Sequence, residues 1–337
     1  MTKTNRGRLA KVLQKPAMLA VIVVLMAILA PGMFLSSTNI ASILMAVCIY
    51  GLMVCGTIFP LLNGGIDLSI GSIGALAGSV CVLVTMRFDY TAGATVLGIF
   101  CGLLVGVLCG LFNGFISYRF AVPAFIVTLA SKNIIYGVAQ NITGKNTILC
   151  LNSGLMNWIG TGKIMGVNFT ILFFVLIVIL TYLLLNHTKF GRYTYAVGGN
   201  PVSARFNGIK TEMVGVSAYV ISGFTAALTG IVLSCFNRQA VATQCSSYDG
   251  DVLVALVVGG VSLAGGEGSI LGALFGILLM GILNNAMVLL GVNSIYQDLL
   301  KGVIVIIAVS VDMYAKNKGN GLDRHFLRRR KCAPSHS

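Results

Sequence analysis

Residues 187–210, HTKFGRYTYAVGGNPVSARFNGIK, form a polar, basic segment between two long apolar runs. The segment has no acidic side chain, and its basic ones are Lys189, Arg192, Arg205 and Lys210. Because cytoplasmic loops of membrane proteins carry an excess of lysine and arginine, the segment is predicted to face the cytoplasm. It therefore orients the apolar runs on either side of it.

The composition of the chain is that of a membrane protein. Of its 337 residues, 57% are hydrophobic and only 9% are charged, and the mean hydropathy is +0.93. A soluble domain, in which about a quarter of the residues are charged, is excluded. The net charge of +14 indicates membrane orientation rather than nucleic-acid binding, because no basic patch interleaved with aromatic residues is present.

The apolar runs predict an all-α polytopic protein with ten transmembrane helices, since about 20 residues cross a bilayer. They are placed at residues 17–35, 41–62, 68–86, 93–118, 122–140, 167–186, 213–234, 250–265, 268–290 and 297–314. If the chain starts inside, both termini are cytoplasmic, where most of the positive charge then lies. The predicted division is a cytoplasmic segment at 1–16, a transmembrane domain at 17–314 with a cytoplasmic loop at 187–212, and a basic cytoplasmic tail at 315–337.

Two stretches look like copies of one another: GGIDLSIGSIGALAG at 64–78 and GGVSLAGGEGSILGALFG at 259–276. A second correspondence matches Gly102, Gly106, Gly110 and Asn113 with Gly272, Gly276, Gly281 and Asn284. If each half holds five helices, the odd number makes the two repeats inverted. Close helix packing also explains the glycines at four-residue spacing. The glycine pairs beside polar residues instead predict broken helices or tight turns next to a translocation path.

Three ionisable residues in the apolar runs are candidates for gating or for the substrate pathway. Asp67 and Asp251 each lie near the start of a span, where capping of the helix N-terminus is the alternative explanation. Lys132 lies in the middle of the fifth span and costs about 3 kcal/mol unless it is paired or hydrated. Asp67 is its candidate partner.

No enzyme site is predicted. The three histidines lie in polar flanks without carboxylate or thiol companions, so no catalytic residue and no metal site are assigned. The chain also lacks a GxxxxGK[ST] phosphate loop and is not expected to hydrolyse ATP or to hold a cofactor. A secondary transporter or channel that acts without ATP remains a competing class.

Four motifs in order resemble the membrane-spanning permease subunits of bacterial ABC importers for ribose and other simple sugars. They are GGIDLSIGS, VPAFIVTLA, FGRYTYAVGGNPVSARFNGI and GGVSLAGGEGSILGALFGILLMGILNN. The resemblance implies transport of a monosaccharide across the inner membrane by alternating access. It also implies the partners: a second permease copy in a homodimer or heterodimer, an ATP-binding subunit with two nucleotide-binding domains that binds ATP and Mg²⁺, and a periplasmic sugar-binding protein. The basic tail is a candidate contact for anionic lipid or the ATPase.

The resemblance also implies a short cytoplasmic coupling helix, which transmits nucleotide-driven motion. It falls on Gly199, Asn200, Ala204, Arg205, Gly208 and Ile209. The local sequence fits, because Asn200 followed by Pro201 favours a helix start and Gly208 favours its end. A plain connecting loop is the alternative.

Substrate contacts are expected near the dimer axis. The candidates are Asn63, Asn113, Phe125, Asn284 and Asn285. The chain departs from the family pattern at Tyr248-Asp249-Gly250-Asp251, where Tyr-Glu-Leu-Asp is usual, and at Tyr136, which replaces a common arginine. These departures leave the substrate open, so an importer of a nucleoside, an autoinducer or a branched-chain amino acid is the nearer alternative.

Overall fold

The computed structural model describes residues 19–20, 22–293, 296–297, 299–303 and 306. Contacts divide the chain into two units, Met1–Gly291 and Val292–Ser337. In the second unit, residues 296–297, 299–303 and 306 are helical. The predicted segments at 1–16 and 315–337, and most of the predicted last span, lie outside the described residues.

The first unit is built mainly of helices. Its first apolar run is helical at residues 19–20 and 22–29. The helices that follow are α1 (Ser37–Leu62), α2 (Ile70–Arg87), α3 (Ala92–Arg119), α4 (Ala124–Thr143), α5 (Gly154–Thr161), α6 (Phe169–His187), α7 (Lys189–Gly199), α8 (Pro201–Phe206), α9 (Thr211–Asn237), α10 (Tyr248–Val258) and α11 (Ile270–Leu289).

The described part of the chain also contains four two-residue strands, not predicted from the sequence, which form two antiparallel pairs. They are β1 (Ile148–Leu149), β2 (Lys163–Ile164), β3 (Val167–Asn168) and β4 (Gln239–Ala240). Strand β1 pairs with β4, with Ile148 opposite Ala240, and β2 pairs with β3. The first pair connects the loop after α4 to the end of α9.

Among the described residues, six helices are long and apolar enough to cross a membrane: α1, α2, α3, α6, α9 and α11. A polytopic membrane protein is therefore confirmed, whereas ten spans and cytoplasmic termini stay predictions. The helix predicted at 250–265 is shorter than expected, because α10 ends at Val258. Gly260 and Gly265 beyond it have φ angles of +89° and +83°, which a right-handed helix cannot accommodate.

Helix α9 is central and packs against α1, α2 and α3. Its Tyr219 is wholly buried. The glycine row of α3 allows the closest approach, since a side chain on Gly106 would collide with Ala227. The packing explanation for these glycines thus accounts for their spacing. Large apolar side chains remain exposed on the other faces of α3 and α6, as contact with lipid requires.

The two sequence correspondences do not describe one consistent repeat. The first matches residues 64–78, which include the start of α2, with residues 259–276, which include the start of α11. The second matches α3 with α11 as well. Since α11 cannot correspond to both α2 and α3, at most one of them reflects a repeat. The inverted five-helix repeat stays a prediction.

Candidate functional site

Helices α2 and α10 both begin inside the bundle. A side chain on Gly71, at the start of α2, would collide with the carbonyl oxygen of Cys245, just before α10. Gly74 lies against both Cys245 and Ala226, and Ala226 is near the midpoint of α9. The segments 63–69 and 241–247 therefore enter the bundle as non-helical chain. The first segment holds Gly64 and Gly65, where a broken helix or tight turn was predicted, whereas the second was not predicted. The other predicted break, at Gly259 and Gly260, lies after α10. Non-helical chain at membrane depth must be buried by protein or line a cavity.

Asp67 lies in the first of these segments and is only 4% exposed. Its Oδ1 accepts hydrogen bonds from the backbone N–H and the hydroxyl of Ser69, at 3.0 and 2.7 Å. Its Oδ2 accepts one from the hydroxyl of Ser222 on α9, at 2.8 Å. The carboxylate thus binds Ser69, the residue before α2, and connects it to α9. It does not cap α2, because no side chain accepts a hydrogen bond from the first turn of that helix.

Asn113 extends this polar chain across α3. Its Nδ2 donates to the hydroxyl of Ser69 at 2.8 Å, and its Oδ1 accepts from the hydroxyl of Ser131 on α4. Asn113 is fully buried. Its amide is engaged at both ends, so the structure places it in a cross-link between helices and not at the surface of a cavity.

Lys132 pairs with Asp249 and not with Asp67, which corrects the predicted pairing. Its Nζ lies 2.5 Å from Asp249 Oδ2, and the two side chains are 31% and 9% exposed. The physical reason is the path of residues 241–247, which brings the start of α10 to the middle of α4. Asp67 meanwhile is held by serine hydroxyls on its other side.

Lys132 also lines a cavity of about 290 Å³, which we call the polar cavity because five of its seven lining residues have polar side chains. The cavity is lined by Gly71, Ser72, Lys132, Asn133, Tyr136, Ala242 and Ser246. A slightly larger cavity of about 310 Å³ lies between α2, α3 and α4, with an apolar lining apart from Ser131 and Cys109. Because Ser131 already donates to Asn113, that second cavity offers little to a polar solute.

The remaining predicted pathway residues lie apart from the polar cavity. Asn284 donates to Asp251 Oδ2 at 3.4 Å, which joins α11 to α10. Asn285 and Asn39 exchange two amide hydrogen bonds, of 3.1 and 2.8 Å, between α11 and α1. Phe125 is 48% exposed near the start of α4. Asn63 follows the last residue of α1, and its side-chain amide is buried without a hydrogen-bond partner in the described part of the chain.

The predicted helix between Asn200 and Gly208 is present as α8. Asn200 Oδ1 accepts the backbone N–H of Ser203 at 2.9 Å, and Gly208 has a φ angle of +80°. Ala204 is buried in a cluster with Val197 and Val214, against which Ile209 packs. The predicted Ala204 and Ile209 therefore pack α8 against the rest of the protein.

The exposed apolar side chains of α8 are Val202 and Phe206, at 64% and 88% exposed. They are four residues apart and so lie on one face of the helix. Neither residue was among the predicted coupling residues. They could have been chosen from the sequence, because apolar residues on a short helix predicted to face water indicate a contact surface.

Backbone contacts join the end of α7 to two other segments, at a place we call the glycine junction: Leu62, Gly198, Gly199 and Gly266. The backbone N–H of Gly266 donates to the carbonyl oxygen of Leu62 at 2.8 Å. A side chain on Gly198 would collide with both of these backbone atoms. Nearby, the hydroxyl of Tyr195 donates to the carbonyl oxygen of Gly268 at 2.9 Å, and burial raises the pKa of that hydroxyl. The junction connects α7, and α8 directly after it, to the end of α1 and to the turn before α11.

The described residues contain no cluster of histidine, cysteine or acidic residues that could hold a metal ion. The described cysteines are free thiols.

Comparison with known proteins decides the family. The model of the family described as branched-chain amino acid transport system / permease component matches residues 39–309. The chain belongs to this permease family. No solved structure gave a significant match.

The permease is similar to three proteins named for sugars. It is 38% identical to the ribose import permease protein of Bacillus subtilis, over 87% of this chain and 90% of the relative. It is 32% identical to the fructose import permease protein of Rhizobium meliloti, over 89% and 86%. It is 32% identical to the L-arabinose ABC transporter permease protein of Azospirillum brasilense, over 93% and 91%. The resemblance to permeases of simple-sugar importers is confirmed, and with it a transport subunit rather than an enzyme.

Proposed function

We propose that this permease carries a monosaccharide, ribose or a similar simple sugar, across the bacterial inner membrane by alternating access. The observation that carries the proposal is the similarity to ribose, fructose and L-arabinose permeases over nearly the whole chain. The polar cavity beside Lys132 supports it, because a sugar needs hydrogen-bonding groups inside the membrane.

The energy comes from a separate ATP-binding subunit with two nucleotide-binding domains, which holds the ATP and Mg²⁺. A periplasmic sugar-binding protein delivers the substrate, and a second permease copy completes the pathway as a homodimer or heterodimer. The permease itself uses no cofactor. This assembly is what the permease family implies. The sequence has no GxxxxGK[ST] phosphate loop, so ATP would have to bind to a separate subunit.

Helix α8 is the coupling helix of this proposal. Val202 and Phe206 form its contact with the ATPase, and Arg205 between them adds positive charge to the rim. Ala204 fixes α8 to Val197 and Val214. Motion of α8 then passes through the glycine junction to the end of α1 and to the turn before α11.

The test is uptake of radiolabelled ribose, fructose and arabinose into proteoliposomes that contain the permease, its ATPase and the loaded binding protein. We expect uptake that requires ATP and that stops when the ATPase carries an inactivated phosphate loop. Uptake driven by an ion gradient without ATP would instead identify a secondary transporter. Failure of any ATPase to co-purify with the permease would also count against the proposal.

A branched-chain amino acid is the second candidate substrate, because the matching family model is named for that transport system. The same proteoliposomes distinguish the two, since excess unlabelled leucine should leave ribose uptake unchanged.

A further inference from the structure

The polar cavity beside Lys132 brings hydrogen-bond donors and acceptors from three segments of the chain together. Lys132, Asn133 and Tyr136 project from one helix, α4, and Ser72 and Ser246 come from α2 and from the segment before α10. The N-termini of α2 and α10 approach it from two directions. Its place near the middle of α4 corresponds to the depth at which interrupted helices form solute sites in transporters.

The ion pair at its edge has unused hydrogen-bonding capacity. An ammonium group has three donors, and within the described residues Lys132 has Asp249 as its one hydrogen-bond partner. Its side chain is 31% exposed. The ammonium group is therefore accessible from the cavity that Lys132 lines.

Tyr136 adds a directed donor. Its hydroxyl oxygen accepts a hydrogen bond from Gln140 Nε2 at 2.8 Å, which leaves the phenolic proton to donate elsewhere. Asp249 adds an acceptor, because its second oxygen lies near Gly71, another residue of the cavity lining. A sugar hydroxyl can both accept and donate a hydrogen bond. Lys132 and Tyr136 supply donors, and Asp249 supplies an acceptor.

We propose that the Lys132–Asp249 pair is the substrate-contact site of the translocation pathway and that it binds a neutral polyhydroxylated solute. Lys132 and Tyr136 donate to the hydroxyl oxygens, and Asp249 accepts from a hydroxyl group. The two opposite charges cancel, so the site selects neutral polyols over sugar acids or sugar phosphates. This inference deepens the proposed function and rests on it.

The experiment compares three double variants in the assembled complex with excess loaded binding protein. The first, Lys132→Met with Asp249→Asn, removes both charges. The second, Lys132→Asp with Asp249→Lys, exchanges them. The matched control, Lys163→Met with Asp89→Asn, removes one charge of each sign from outside the cavity. Thermal unfolding of each complex is measured first, and uptake per ATP hydrolysed is measured next.

We expect the neutral and exchanged pairs each to lower uptake per ATP by about tenfold or more, the loss of a hydrogen bond to a charged group. The control should match the wild type. A pair with only a structural role would be restored by the exchange, so wild-type uptake by the exchanged variant overturns the site. Wild-type uptake by the neutral variant does the same.

Two further readouts keep the inference testable if a double variant does not assemble. Tyr136→Phe removes one donor without altering charge and should lower uptake severalfold, and unchanged uptake overturns the proposed donor. Asp249→Asn leaves Lys132 as an uncompensated cation, so gluconate should inhibit sugar uptake by this variant and not by the wild type. Equal inhibition of both overturns the charge-balance argument. If the wild type transports no sugar at all, it is the proposed function that fails, independently of the site.

Discussion

The backbone N–H of Gly266 lies 2.8 Å from the carbonyl oxygen of Leu62 and donates a hydrogen bond to it. This bond joins the turn before α11 to the end of α1, two segments about 200 residues apart in the chain. Gly198 lies against both atoms. Because no side chain separates the three backbones, a displacement of α7 has to move the other two segments.

Replacement of Gly198 by alanine tests this junction. The new methyl group would collide with Leu62 and Gly266, and overpacking of this kind costs about 1–3 kcal/mol. We expect a lower unfolding temperature and reduced uptake per ATP. The adjacent Gly199→Ala is the matched control, because a side chain there meets nothing within 4 Å. Equal behaviour of the two variants would show that the close approach has no mechanical role.

The exposed face of α8 gives a second prediction. Phe206 is 88% exposed, so Phe206→Ala should leave the permease as stable as the wild type. If the side chain fills a pocket of the ATPase, its loss weakens binding about 30-fold or more, as for other aromatic interface residues. The measurement is the affinity of the purified permease for its ATPase. Met165→Ala is the control, since Met165 is fully exposed in a loop far from α8 in sequence. An unchanged affinity for Phe206→Ala would contradict the contact.

The start of α8 shows what local sequence can predict. The side chain of Asn200, the ring of Pro201 and the positive φ of Gly208 act within a few residues, and the helix lies between them as expected. The helix predicted at 250–265 was too long, because Gly260 and Gly265 turn the chain, although the glycine pair at 259–260 had itself predicted a break there.

The partner of Lys132 could not be predicted for a different reason. Its cost in a membrane indicated that Lys132 must be paired or hydrated. Which acid lies within reach depends on the non-periodic path of residues 241–247, which brings Asp249 to it. Likewise, the sequence does not show which face of α8 is exposed. The burial of Ala204 in the structure leaves Val202 and Phe206 on the outward face.

The amide of Asn113 supports a third prediction, about stability. Asn113→Leu removes the acceptor of Ser131 and the donor to Ser69, in a site that excludes water. A buried polar group that loses its partner costs about 1–3 kcal/mol, so the free energy of unfolding should fall by that amount. Asn146→Leu, at an exposed loop position, should have little effect. A stable Asn113→Leu variant would mean that the polar chain from Asp67 to Ser131 does not hold α2, α3 and α4 together.

The orientation inferred from positive charge yields the fourth prediction. Met165 and Phe206 are both highly exposed, and the charge pattern places them on opposite sides of the membrane. In spheroplasts, a membrane-impermeant maleimide should label Met165→Cys while the cells are intact and label Phe206→Cys only after permeabilisation. The parent chain is the control, and its described cysteines are buried or half-buried. The reverse pattern would invert the topology and remove α8 from the reach of a cytoplasmic ATPase, so this labelling should precede the coupling experiments.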